Sequence, residues 1–372
     1  MIRLNKIILG IPILFFLLLG LNQLDFSVKA EEFFTTTSTT SIFDDTKDDT
    51  KTKPDKIIAK GVYLTAASAA NQKKVTEIIK LIDTTELNAV VIDIKDYTGN
   101  ILYDSQVPLA RELKTIRPVI NNLSDIIQQF HDEHIYVIAR QTVFQDPMLA
   151  KAKPEWAIRT KRGTPWRDNL GLSWVDPSRQ EVWEYNAALA KEAISLGFDE
   201  INFDYVRFPS DGNLRAAVYA VNNKSKSEIM RDFYGYISNE LHDEPAWISL
   251  DFFGLTMEQH DGLGIGQRIA DAVDVVDYIS PMMYPSHYGA GYLGFANPAE
   301  HPKEIISNGL KKGIRLFNNK RAMVRPWIQA FHTGAYYSAN KIRAQIDAVE
   351  KYPNGGWLLW NSSNRYTSAG LK

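Results

Sequence analysis

Asp204, Asp251 and Asp93 each lie at or near the end of a short, apolar, β-branched run: EINFDYV at 200–206, AWISLDF at 246–252 and AVVIDIK at 89–95. In an extended strand, residues two apart share a face. Asn202 therefore goes with Asp204, Ser249 with Asp251, and Asp93 with Lys95. Ile201 and Phe203, Ile248 and Leu250, and Ile92 and Ile94 take the opposite faces. Carboxylates aimed from apolar strands into an interior need a reason, because burying a charge is costly unless it is paired. An ion-pair network with Lys95, Arg140 and Arg207 is one reason. Acid–base chemistry is the other: cleaving a glycosidic bond takes two carboxyl groups, one protonated to help the leaving oxygen depart and one ionised to attack or to activate water.

Aromatic side chains accompany the aspartates. Trp166 and Trp174 fall in the long segment after the run IYVIAR (135–140), and Tyr284, His287, Tyr288, Trp327 and Trp360 fall at or after later apolar runs. Flat ring faces pack against the C–H faces of sugars, while groups such as Lys95, Arg140, Arg207 and Gln329 bind hydroxyls. Carbohydrate is therefore the expected partner.

Other chemistries are weakened by what is missing. The chain has no cysteine, which excludes thiolate nucleophiles, cysteine-ligated metal sites and disulfides. Its seven histidines are scattered, and the first strand candidate, GVYLT, lacks the His-x-His of metal-dependent barrel hydrolases. A formal net charge of −2 gives no footprint for nucleic acid. The string GLGIGQ (262–267) departs from G-x-G-x-x-G spacing and follows the fifth strand, so it is expected to be a flexible loop and no nucleotide cradle. No metal and no organic cofactor is expected.

The elements that must position these groups form a repeating pattern. Eight strand candidates, at 61–65, 89–95, 135–140, 200–206, 246–252, 277–283, 322–329 and 356–361, alternate with stretches of helical periodicity such as Val75, Ile78, Ile79 and Ile82. Eight βα units in about 300 residues, with no Gly-rich turn after the first strand, predict a single (β/α)₈ TIM barrel over 58–366, followed by a tail at 367–372. Barrel enzymes carry their chemistry at the C-terminal strand ends, which is where the aspartates stand. Before the barrel, Arg3 and Lys6, the apolar run Ile7–Leu21 and Val28-Lys29-Ala30 read as a signal peptide over 1–30, giving a secreted or cell-surface protein. An uncleaved anchor is the alternative. Residues 31–57, rich in Thr, Ser, Asp and Lys, read as a flexible spacer that could hold the barrel near a wall or membrane surface.

The strings VVIDIKDYTGN (90–100), WVDPSRQEVWEYN (174–186), GFDEINFDYVRFPSDG (197–212), SLDFFG (249–254) and YISPMMYPSHY (278–288) resemble the bacterial putative glycosyl hydrolase domain, also called glycoside hydrolase-like family 13. The resemblance covers about 58–366 and implies a TIM barrel acting on carbohydrate. A more distant likeness to family 18 chitinases is architectural, since Val206 stands where those enzymes carry their catalytic Glu. The family likeness singles out the DYVRFP segment, which makes Asp204 the expected nucleophile. Asp251 is the expected general acid, because Phe252 and Phe253 would desolvate it, and Asp93 is second in line. Arg207 would orient Asp204 or bind a hydroxyl, and Tyr284 would hydrogen-bond the nucleophile. With strands about 4.8 Å apart, the pair would suit the ~5–5.5 Å separation of retaining enzymes. A barrel that binds sugar without cleaving it, or a wall scaffold, is the alternative.

Overall fold

The computed structural model describes Lys53 and residues 55–220 and 223–372; the expected signal peptide and the spacer up to residue 52 lie outside the described residues. Eight parallel strands close on themselves: β1 (Ala59–Leu64), β2 (Ala89–Lys95), β3 (Tyr136–Thr142), β4 (Glu200–Asp204), β5 (Trp247–Phe253), β6 (Tyr278–Met282), β7 (Trp327–Gln329) and β8 (Gly356–Trp360). Each pairs with its sequence neighbour, and β8 pairs with β1, so the expected (β/α)₈ barrel is the fold.

Six long helices form the outer ring: α1 (Gln72–Asp83), α2 (Leu123–Asp132), α3 (Gln180–Ser195), α4 (Lys226–Glu240), α5 (Pro302–Gly313) and α6 (Ala339–Val349). Each buries an apolar stripe against the strands. In α1 the stripe is Val75, Ile78 and Ile82, spaced three and four apart, and Asn71 caps the first turn by accepting from the Lys74 N–H.

Two of the eight expected βα units lack a long helix. The crossover from β5 to β6 holds only 3₁₀ turns at Gly254–Met257 and Ile269–Asp271. Gly262, Gly264 and Gly266 there all have positive φ, and the Ile265 and Gly266 N–H groups donate to the Gly262 carbonyl at 3.0 Å. The loop delivers the fully buried Gln267, whose amide accepts from the Phe253 N–H at 2.8 Å and donates to the Asp251 carbonyl at 3.0 Å, fixing the end of β5. After β8, no helix follows. Instead Asn364 and Tyr366 reach back to β1, donating to the Tyr63 carbonyl at 3.0 and 2.9 Å.

Two apolar regions result. One lies between strands and helices. The other fills part of the barrel interior with Tyr63, Val91, Ile138, Trp327 and Leu358. The inward positions of β4 are polar by contrast, as are Arg140 on β3 and Ser249 and Asp251 on β5. Low in the barrel, Glu200 is fully buried in an ion pair with Arg325 and accepts from Tyr136 and Ser249 at 3.1 and 2.5 Å. Higher up stand Arg140, Asp204 and Asp251.

Candidate active site

The inward alternation read from the sequence holds on β4 and β5. Asn202 pairs in register with Ser249 and Phe203 with Leu250, so Asp204 and Asp251 stand side by side one step further, at the C-terminal mouth. Arg140, in register with Asn202 on one side and Asp93 on the other, extends its guanidinium into the space between the three acids. Its Nη1 donates to Asp93 Oδ1 at 2.6 Å, its Nη2 and Nε to Asp204 Oδ2 at 2.5 and 3.2 Å, and its Nε lies 4.0 Å from Asp251 Oδ2.

The environments of the three carboxyl groups differ. Asp204 receives a third donor at Oδ1, the backbone N–H of Tyr205 at 2.6 Å. Tyr205 takes φ of +54°, a conformation rare for a bulky residue, and this turn folds its N–H back onto the preceding carboxylate. Asp251 is bonded at one oxygen only: Asn202 Nδ2 and Trp327 Nε1 both donate to Oδ1 at 2.8 Å. Burial, reinforced by the Asp204 charge, pushes the Asp251 carboxyl well above the usual carboxylate range, against the pull of Arg140. Burial also raises Asp93, which accepts from the Tyr63 hydroxyl at 2.5 Å.

Distances to the shared Nε, 3.2 Å from Asp204 Oδ2 and 4.0 Å from Asp251 Oδ2, cap the separation of these oxygens at their sum, 7.2 Å.

Above the two acids opens a cavity of about 470 Å³. Arg140, Asp204, Asp251, Trp327 and Trp360 line it, together with Tyr284, His287, Tyr288, Tyr205, Arg207, Phe253, Gly254, Leu255 and Met282. Trp360 stacks on Tyr63 with ring centres 4.0 Å apart and meets Trp327 edge-on at 5.4 Å, so its orientation is locked. Burial holds the His287 imidazole below its ordinary value, favouring the neutral ring.

Several expected site residues lie elsewhere. Lys95 was expected to share the inward face with Asp93, but a register shift between them turns it outward. It is fully buried beneath α3, 2.7 Å from Asp146 and donating to the Thr142 carbonyl and Asn186, away from the cavity. Asp93 sits below the cavity floor, behind Arg140. Trp166 and Trp174 are 2% and 1% exposed, and their indole N–H groups are spent on the Asn213 carbonyl and on Asp168, so they are packing and not sugar platforms. Gln329 accepts from the Ser286 N–H and donates to the Phe331 and Thr333 carbonyls, pinning the loops that frame the mouth without lining it.

Tyr63 and Tyr205 are site residues the sequence reading did not single out, and Asn202, placed on the inner face by alternation, was given no role. Tyr63 was findable by extending the alternation argument to β1, where Gly61 and Tyr63 face inward beside Ala89 and Val91. Among the described residues, no group of three or more His, Cys, Asp or Glu side chains could hold a metal ion; the guanidinium fills the centre of the carboxylate cluster.

The chain resembles solved glycoside hydrolase barrels in fold. The glycoside hydrolase domain of PgaB (BpsB) from Bordetella bronchiseptica aligns with a TM-score of 0.59 at 11% identity, over 82% of this chain and 94% of that one. The α-galactosidase TtGalA from Thermus thermophilus, solved with stachyose, gives 0.53 at 13% identity over 84% and 63%. A chitobiase from Flavobacterium johnsoniae gives 0.52 at 11% over 82% and 44%. At such identities the likeness speaks for the fold alone. A hypothetical protein from Ruminiclostridium thermocellum shares 35% identity over 55% of this chain and 98% of that one, with a TM-score of 0.48. No curated protein matches the sequence. The family model described as "Putative glycosyl hydrolase domain" matches residues 61–366, which take in every barrel strand but the first two residues of β1, and the chain belongs to that family.

Proposed function

We propose that the barrel is a glycosidase in which Asp204 attacks the anomeric carbon and Asp251 protonates the leaving oxygen. The observation that carries this reading is the asymmetry of the two carboxyl groups on one cavity floor. Asp204 accepts three hydrogen bonds, from Arg140 Nε and Nη2 at Oδ2 and from the Tyr205 N–H at Oδ1. Asp251 has its two donors on Oδ1, which leaves Oδ2 to carry a proton, and burial favours the protonated state. The reaction forms a bond from an Asp204 oxygen to the anomeric carbon as the glycosidic C–O bond breaks, and the Asp251 proton passes to the departing oxygen. Water then adds at the anomeric carbon, returning a proton to Asp251 and releasing Asp204. The 7.2 Å cap admits the ~5–5.5 Å of retaining enzymes and only the lowest part of the ~6.5–9.5 Å inverting range, so we favour retention. Export, expected from residues 1–30, belongs to this proposal and would put the substrate outside the cytoplasm.

The test is proton NMR of the first-formed sugar released from a panel of aryl glycosides. Retention of anomeric configuration supports the reading, and inversion rejects the nucleophile role. Asp251→Asn should keep activity on nitrophenyl leaving groups, which need little protonation, and lose it on alkyl ones.

One observation favours a second reading, a barrel that binds sugar without cleaving it: Arg140 already bridges Asp93 and Asp204, as a purely structural ion-pair network would. That reading predicts saturable sugar binding with no turnover on any glycoside.

A further inference from the structure

Arg207 differs from the other buried cations of the barrel. Arg140 and Arg325 sit against acids, and so does Lys95. Arg207 is 8% exposed and lines the cavity, yet among the described residues no carboxylate lies within ion-pairing distance of it. Asp204, Asp211 and Asp168 act on it only from farther away. Each is otherwise engaged: Asp204 by Arg140, Asp211 by the Asn169 N–H, and Asp168 by two backbone N–H groups and the Trp174 indole.

The guanidinium is held by aromatic faces. Its carbon lies 4.6 Å from the Phe253 ring centre, 4.9 Å from Trp174 and 5.3 Å from Tyr205. Nη1 makes its hydrogen bonds, to the Phe208 carbonyl at 3.1 Å and to Ser210 Oγ at 3.3 Å. The edge formed by Nε and Nη2 bonds to none of the described residues, and neither nitrogen is among the sealed, unbonded atoms of the interior. Arg207 thus brings to the cavity it lines a largely buried guanidinium, held by aromatic faces, with a two-pronged donor edge that no described residue occupies. Burying such a group without an acid partner costs free energy, and a carboxylate or other planar or tetrahedral oxyanion matches its geometry far better than a sugar hydroxyl.

We propose that Arg207 selects a substrate carrying an acidic group, and that the sugar bound in this cavity is a uronic acid or another carboxylate-bearing unit. The inference rests on the glycosidase reading for the identity of the ligand as sugar and deepens it by naming the class. The aromatic clamp fixes the guanidinium so that little side-chain freedom is lost on binding. Arg140, paired with both Asp204 and Asp93, offsets part of the negative charge of the floor that would otherwise repel the incoming anion.

The experiment uses the purified full-length chain carrying Asp204→Asn, to hold substrate without turning it over. Calorimetry measures binding of oligogalacturonate, oligoguluronate and hyaluronan fragments, each against its carboxyl-reduced, neutral counterpart. At least one acidic fragment should bind about tenfold or more tightly than its reduced form. Arg207→Gln in the same background should erase that preference, and Arg207→Lys, which keeps the charge but loses the fork, should fall between. Thermal melts of each variant establish that it is folded. Equal affinity for acidic and reduced forms overturns the inference, as does absence of binding to every acidic fragment, or an acid preference unchanged by Arg207→Gln. The hydrolase reading fails separately: an Arg207-dependent acid preference with no cleavage by the unsubstituted chain would leave this inference standing and remove catalysis.

Discussion

Replacing Arg140 with methionine removes the cation that bridges Asp93 and Asp204 while keeping most of the side-chain volume. Both ion pairs are buried: the side chains of Arg140, Asp93 and Asp204 are 7%, 6% and 8% exposed. Deleting one partner of a buried pair typically costs ~3–5 kcal/mol, because the survivor is left charged and poorly solvated. Here the survivors keep some help, the Tyr63 hydroxyl at Asp93 and the Tyr205 N–H at Asp204, so the cost should lie near the lower end, about 3 kcal/mol at pH 7. The pH dependence follows from linkage. Without the guanidinium, Asp93, which burial already raises, loses the opposing charge and rises further, so folding takes up a proton there and stability falls as pH rises through the raised value. The penalty relative to the parent should therefore shrink on acidification. Urea unfolding of both proteins at pH 7 and pH 4.5 reads it directly. A penalty under ~1 kcal/mol, or one equal at both pH values, would refute the argument that the guanidinium stabilises the two carboxyl groups it bridges.

The Asp251 carboxyl, raised by burial, contributes to stability fully below its unfolded pKa and loses that contribution as pH rises through its folded value. Asp251→Asn should accordingly gain on the parent with rising pH, by ~0.5–2 kcal/mol at pH 8, in parallel urea titrations. Lys95→Met should cost ~3–5 kcal/mol by orphaning Asp146, yet leave kcat/KM per folded molecule unchanged, because Lys95 faces α3 and not the cavity. At Gly254 an added Cβ would stand 2.6 Å from the Met282 carbonyl and 3.0 Å from the Tyr288 hydroxyl. Gly254→Ala should therefore cost ~1–3 kcal/mol in unfolding experiments and raise KM by displacing Tyr288 from the cavity wall.

The barrel was legible because its strands are short, β-branched and evenly spaced, and alternation alone placed Asp204, Asp251 and Asn202 on the inner face. The same rule failed at Lys95, where a register shift after Asp93 reverses the facing of the strand end. Nothing in KDYTGN announces that shift, at which Lys95 also pairs antiparallel with Ile101. Trp166 and Trp174 show a second limit: composition places aromatics near a mouth, but only the partners of their indole N–H groups, Asn213 and Asp168, tell packing from platform. Arg140 shows a third. Its strand and facing were readable, whereas its reach across to both Asp93 and Asp204 depends on side-chain rotamers that no periodicity encodes.

The central claim is that Asp204 is the attacking group, and it is tested most directly by steady-state turnover and sugar binding of Asp204→Asn on any glycoside the parent chain cleaves. The amide keeps the shape of the carboxylate and removes its charge. The account predicts a fall in kcat of at least ~10³-fold, with sugar affinity and the unfolding midpoint little changed. Turnover at the parent rate would contradict it.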